Sequence, residues 1–187
     1  MIEFEESTHT YKIDGVVVPS VSEIMTPLTS LYYKEIDKNI LDMACYRGSQ
    51  VHKAIEDFET WGEYTIDDKY KDYMLNYKIF KKFNEIEIIN QEQRLTNGKF
   101  AGTYDMLAKI DNKTILIDHK TSKEIHNNLL SVQFAGYNEL CEANGIKVDE
   151  FYCLHLTKSK YEFRKIEINK EIWKKCKDIY FYIKEEK

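Results

Sequence analysis

The chain has 187 residues, 43% of them hydrophobic, with a formal net charge of −5 and a pI near 5.6. That is enough for one domain with a real core, but too acidic for a protein that grips nucleic acid with its whole surface, so any such contact needs a local basic patch. No stretch approaches the roughly 18 apolar residues that cross a bilayer, and the opening MIEFEESTHT lacks the basic start and apolar core of a secretion signal, so we expect a cytoplasmic protein with no membrane partner.

In chain order, Thr10–Ile13 and Val16–Val18 flank Asp14-Gly15, a strong signal for a hairpin with a type I′ turn. Pro19 ends the second strand, and Ser20 with Glu23 forms an S-x-x-E capping box that starts a short helix at Val21, its run stopping before Pro27. From Asn39 to Trp61 apolar residues recur at helical spacing, interrupted by Gly48. Asp67 to Asn84 predicts another helix, whose stripe of Tyr70, Tyr73, Met74, Tyr77 and Phe80 to Phe83 should face the core.

Three strands follow, Ile86–Leu95, Phe100–Ile110 and Thr114–Asp118, joined by Asn97-Gly98 and Asp111-Asn112 turns suited to antiparallel hairpins. Asn128 to Asn144 reads as a helix closed by Gly145, Glu150–Leu156 and Tyr161–Ile168 as strands, and the segment from Asn169 as a charged amphipathic helix. Cys45, Cys141, Cys153 and Cys176 lie far apart, which suits reduced, mostly buried thiols rather than a zinc site or a disulfide framework. With no repeat, low-complexity tract or Pro/Gly/Ser linker, residues 1–187 read as a single domain: hairpin and helices over 1–85, a core over 86–145, and strands with a helix over 146–187.

The chemistry concentrates in Gly102-Thr103-Tyr104-Asp105 and in Ile117-Asp118-His119-Lys120 at the end of an apolar strand. Side chains alternate along a strand, so Asp118 and Lys120 point one way and His119 the other, while Asp105 comes from the neighbouring strand. Two carboxylates so placed can hold a hard cation such as Mg²⁺ or Mn²⁺ through oxygen, with the backbone carbonyl of His119 as a further ligand and positions left for water and a phosphate. Lys120 beside them would stabilise charge in the transition state. Alone, D-H-K would equally suit a surface ion pair worth under about 1 kcal/mol.

Other residues extend the pattern. A helical Gly48-x-x-x-His52 precedes Gly102-x-x-Asp105 and Asp118-x-Lys120, and a helical Gln133-x-x-x-Tyr137 follows, after an opening Pro19-Ser20-Val21-Ser22-Glu23-Ile24-Met25. This order, over most of residues 10–140, resembles the PD-(D/E)XK nuclease superfamily, in particular its RecB-like and phage exonuclease branch. The resemblance implies an α/β (α+β), restriction-endonuclease-like core, with a central mixed sheet flanked by helices. It implies a Mg²⁺- or Mn²⁺-dependent deoxyribonuclease, an exonuclease acting on DNA ends in phage-type recombination or DNA processing, with metal ligands His52, Asp105 and Asp118 and catalytic residues Asp105, Asp118, Lys120, Gln133 and Tyr137.

Relatives that form rings make a homo-oligomer an expectation, and a recombination partner protein another. Members that carry an iron-sulfur cluster use a tight cysteine group absent here, so no cluster is expected. Glu56, one helical turn after His52, can bind a second metal, accept a bond from a ligand, or stay solvated; Glu92 sits where several members place another acidic ligand, or is simply exposed. His126, Lys123 and Lys158-Ser159-Lys160 are candidates for contacts with the DNA backbone, although charge runs usually just solvate a surface. Two alternatives stay open: a structure-specific endonuclease, and a nuclease fold kept for binding DNA ends or a protein with little turnover.

Overall fold

The computed structural model describes residues 1–6 and 8–185. The hairpin forms as expected, β2 (Thr10–Ile13) pairing with β3 (Val16–Val18) around Asp14 and Gly15, whose φ values of 49° and 81° are those of a type I′ turn. A preceding strand, β1 (Ile2–Glu5), adds antiparallel to β2 and makes a small three-stranded sheet. The capping box closes in both directions: Ser20 Oγ accepts the Glu23 amide at 3.0 Å, and Glu23 Oε2 accepts the Ser20 amide at 2.7 Å, starting α1 (Val21–Ile24).

Pro27 lies beyond the end of α1 but also in the first turn of α2 (Thr26–Tyr33), where its missing N–H costs nothing, so the residue read as a stop is also a start. Asp37 then caps α3 (Lys38–Trp61), which Gly62 closes at φ 75°; its buried residues, Val51, Ala54 and Ile55, all lie in the second half. After a 3-10 turn at Asp68–Tyr70, α4 (Lys71–Phe83) buries Tyr73, Met74, Tyr77 and Phe80. Phe83 departs from the expected core stripe: it sits in the last turn and is 70% exposed.

The main sheet has the order β4-β5-β6-β7-β8, from β4 (Glu87–Thr96), β5 (Ala101–Ile110), β6 (Lys113–Lys120), β7 (Glu150–Leu156) and β8 (Tyr161–Lys165). All neighbours are antiparallel except β6 and β7, whose parallel pairing needs the crossover helix α5 (Asn127–Ala143). The last strand is shorter than its apolar run: after Lys165, Ile166 still binds the sheet through Phe151 O, before Asn169 caps α6 (Lys170–Glu185).

Alternation along β6 divides the core. Ile115 and Ile117 pack with Val51, Met74 and Phe80 under α3 and α4, while Leu116 packs with Val21, Phe134 and Trp173 under α1, α5 and α6. The result is a mixed α/β architecture, a five-stranded mixed sheet with helices on both faces. The small sheet joins it where Ser20 bridges Ala101 and where Tyr11, Val18 and Ala101 form their own apolar cluster. Cys141, Cys153 and Cys176 are buried and Cys45 is exposed.

Candidate metal centre and active site

The ladder between β5 and β6 runs from Ile110 opposite Lys113 to Met106 opposite Ile117 and there stops. One residue further on, the carboxylate of Asp105 takes the place of a backbone acceptor: Oδ2 accepts the His119 amide at 2.6 Å. Asp105 and Asp118 thus stand on adjacent strands at the point where the sheet opens. Lys120, two residues beyond Asp118 on the same face, brings Nζ to 3.0 Å from Oδ1 and 2.8 Å from Oδ2 of that aspartate.

Gln133, on α5, donates its Nε2 hydrogen to Asp118 Oδ1 at 3.2 Å. One turn later Tyr137 is buried and bonded to Gln133; burial raises its phenol pKa, and the charges of Asp105 and Asp118 raise it further. Gly102 makes room for that ring: a Cβ there would lie 3.0 Å from Tyr137 Cε1 and 3.1 Å from Val21 Cγ2. The glycine of G-x-x-D therefore has a packing reason.

From α3, His52 donates from Nε2 to the carbonyl of His119 at 2.9 Å and holds Nδ1 3.6 Å from Asp105 Oδ1 and 3.9 Å from Glu92 Oε1. The ring of His119 faces away from Asp118 and Lys120, as alternation requires, and lies against the rings of His52 and Tyr77, with centroids 5.6 and 6.0 Å apart. Ligand atoms of His52, Asp105 and His119 all fall within 4.8 Å of one another. The sequence pointed to the carbonyl of His119; its imidazole is an addition, since the helix that meets it is remote in sequence.

The electrostatics follow from this crowding. Burial alone would raise the pKa of Asp105, but His52, His119, Lys120 and the His119 amide outweigh it and hold the carboxyl low. For Asp118 burial wins over Lys120 and, with Asp105 adding, pushes the pKa to about 6. Burial drives His119 down to about 4, so it is neutral at physiological pH, whereas Asp118 and Asp105 keep Lys120 raised against the effect of burial. Glu92 is pushed to about 8 by burial and then by Asp105, Glu56 and Asp118.

Glu92 stands opposite Asp105 between the paired residues Gln91–Met106 and Gln93–Tyr104, and adopts φ 46°, a left-handed conformation uncommon for a side chain larger than Asn. Glu56 is turned toward Lys53, with Oε2 3.0 Å from its ammonium, and is not among the three clustered ligands.

The donors present suit a divalent cation. Among the described residues both ring nitrogens of His119 are buried without a hydrogen-bond partner, and Asp118 Oδ2 has the Lys120 ammonium at 2.8 Å but no hydrogen bond; neutral imidazole with carboxylate oxygen is the donor set such ions take. Asp105 raises the cost of ionising Asp118, and both raise that of ionising Glu92, a penalty that a bound cation would relieve.

The basic candidates lie around this centre, not in it. The turn after β7 that carries Lys158 and Lys160 is at the same end of the sheet as Lys120, because β6 and β7 are parallel with Lys120 opposite His155; Lys160 is paired with Glu162 at 2.6 Å. Lys123 is exposed, and His126 rests against Tyr32 and Tyr33. Arg47, overlooked in the sequence because nothing local marks it, donates from Nε to Thr121 Oγ1 at 3.4 Å, directly after Lys120. Tyr11 Oη lies 2.8 Å from Thr103 Oγ1, tying the small sheet to the strand of Asp105.

No known family model and no curated protein matches this chain. Among solved structures it is similar to a protein of Eubacterium rectale described as "Putative exonuclease", at 14% identity and a TM-score of 0.52, covering 87% of this chain and 77% of that one. It is also similar to a phage-related exonuclease of Haemophilus somnus, at 12% identity and a TM-score of 0.47, over 90% of this chain and 96% of that one. The Eubacterium rectale likeness shows the fold, a mixed sheet with flanking helices, as the motif order led us to expect.

Proposed function

We propose that this chain is a metal-dependent DNA nuclease that hydrolyses phosphodiester bonds, acting as an exonuclease. The observation that carries the proposal is the cluster of ligand atoms from His52, Asp105 and His119 where β5 and β6 separate, with Asp118 and its ion-paired Lys120 on the strand next to Asp105. His52, Asp105 and Asp118, with His119 beside them, are the residues that would hold Mg²⁺ or Mn²⁺. The ion supplies Lewis acidity when bound, lowering the pKa of water and offsetting charge on the phosphoryl group.

The chain's own residues have separate tasks. Lys120 is anchored by Asp118 but keeps 30% of its side chain exposed, so its ammonium can turn from that carboxylate to a phosphate oxygen or to the attacking water, where charge develops. Gln133 fixes the rotamer of Asp118, and Tyr137 packs behind Gln133, excluding water from that side. Glu92 and Glu56 stand at the open rim and are proposed as further carboxylates toward the centre. DNA is the proposed partner, and the Eubacterium rectale protein's exonuclease description supports the choice of ends as substrate.

The test is cleavage of end-labelled linear DNA and of closed circular DNA with Mg²⁺ or Mn²⁺, beside an Asp118→Ala variant. Metal-dependent loss of the linear substrate by the wild type alone is expected. Equal cutting by the variant, or none by the wild type, refutes the proposal, and cutting of closed circles turns it toward an endonuclease.

A further inference from the structure

We infer that Tyr32, Tyr33 and His126 form a stacking platform for an unpaired base of a single-stranded nucleic-acid segment lying next to the metal centre. This rests on the nuclease reading for the kind of ligand and adds which part of the strand the surface takes.

Residues 31–40, from the end of α2 into α3, are all exposed. Tyr32 and Tyr33 are 36% and 38% exposed, and both rings meet the imidazole of His126, with centroids 5.1 and 6.2 Å apart. His126 is the N-cap of α5, a place where Ser, Thr, Asp or Asn would stabilise the helix; its side chain makes no capping hydrogen bond, and its ring is turned to the tyrosines instead. Helix stability does not account for that residue, whereas an aromatic cluster open to solvent does.

The cluster is continuous with the site. It lies at the far end of the loop that leaves Lys120, and Arg47 on α3 is bonded to Thr121 at the near end. Lys123 is exposed on the same loop next to Glu124, and Lys34 and Lys38 flank the tyrosines beside Glu35 and Asp37, so the surface charge is mixed; the first turn of α5 holds no acidic residue, which leaves its N-terminal N–H groups open to a phosphate. Aromatic rings beside cations are how proteins hold single strands, because an unpaired base offers its π-face and a paired one hides it. A duplex would leave these rings without a partner.

The experiment uses the full chain carrying Lys120→Ala, with Mn²⁺, so that cutting is slow on the time scale of the binding measurement. Binding of fluorescein-labelled oligothymidylate is followed by anisotropy and compared with the same oligomer bearing abasic sites. Replacing both tyrosines by Ala, or by Leu to keep apolar bulk, is expected to weaken binding of the intact oligomer about tenfold or more. The abasic oligomer should bind every variant alike, and Phe at both positions should keep wild-type affinity.

Equal losses for both oligomers, no loss, no binding by the parent protein, or a loss that tracks a change in sedimentation each overturns the platform, the last pointing to a second copy as the occupant. Cleavage measured in parallel with Lys120 intact separates the two readings. Cutting without a base-dependent loss defeats the platform alone, and a base-dependent loss without metal-dependent cutting defeats the nuclease reading alone.

Discussion

Asp105 accepts the backbone N–H of His119 through Oδ2 at 2.6 Å, where the next ladder bond between their two strands would otherwise fall. The carboxylate therefore has two tasks, holding the strand end of β6 and facing His52 with its other oxygen, 3.6 Å from Nδ1. Asp105→Asn keeps the shape but removes the charge and can turn an NH₂ group toward the amide. It is expected to abolish metal-dependent cleavage while lowering the melting temperature only modestly, with circular dichroism as the check on folding.

Lys120→Ala is expected to lower the cleavage rate by about 10²- to 10³-fold, the usual cost of removing one group aimed at developing charge. Metal affinity should stay or rise, because the ammonium no longer competes for Asp118. Single-turnover cleavage and metal titration of the same sample separate the two effects. A parallel loss of metal binding would mean that Lys120 serves the fold of the site.

The stability of the metal-free protein should depend on His119 below neutral pH. Its folded pKa, about 4, lies below the unfolded value of 6.5, so the unfolded chain binds more protons between these values. The contribution is fully present above about pH 6.5 and is lost as pH falls toward 4, by roughly 3 kcal/mol at most. Urea melts at several pH values, with His119→Gln giving a flatter profile, check this.

Much of this site was legible because strand alternation is local: Asp118 and Lys120 had to share a face, and Asp105 could reach them from the adjacent strand of a hairpin read from Asp111-Asn112. The imidazole of His119 was not, since its neighbours come from α3 and α4, and only tertiary packing sets them against β6. The left-handed turn at Glu92 carries no Gly or Asn to announce it. In the fold, α2 escaped because none of its residues is buried, leaving no apolar period to find, and Phe83 was taken into the core because the helical period continues past the point where the helix leaves its neighbours.

Gly102→Ala should lower stability by about 1 to 3 kcal/mol, as overpacking in a core does. The added methyl would meet Tyr137, Val21 and Leu140 at 3.0 to 3.2 Å. Because Tyr137 backs Gln133, the variant should also lose activity beyond what its residual folded fraction explains, which thermal melts combined with cleavage rates will show.

The central claim is that His52, Asp105 and Asp118 together hold a divalent ion, and Mn²⁺ titration followed by the loss of the free-ion electron paramagnetic signal tests it without relying on turnover. The wild type is expected to bind Mn²⁺, with affinity reduced tenfold or more in His52→Ala, Asp105→Asn and Asp118→Asn, each still folded. Binding that is absent from the wild type, or unchanged in all three variants, would contradict it.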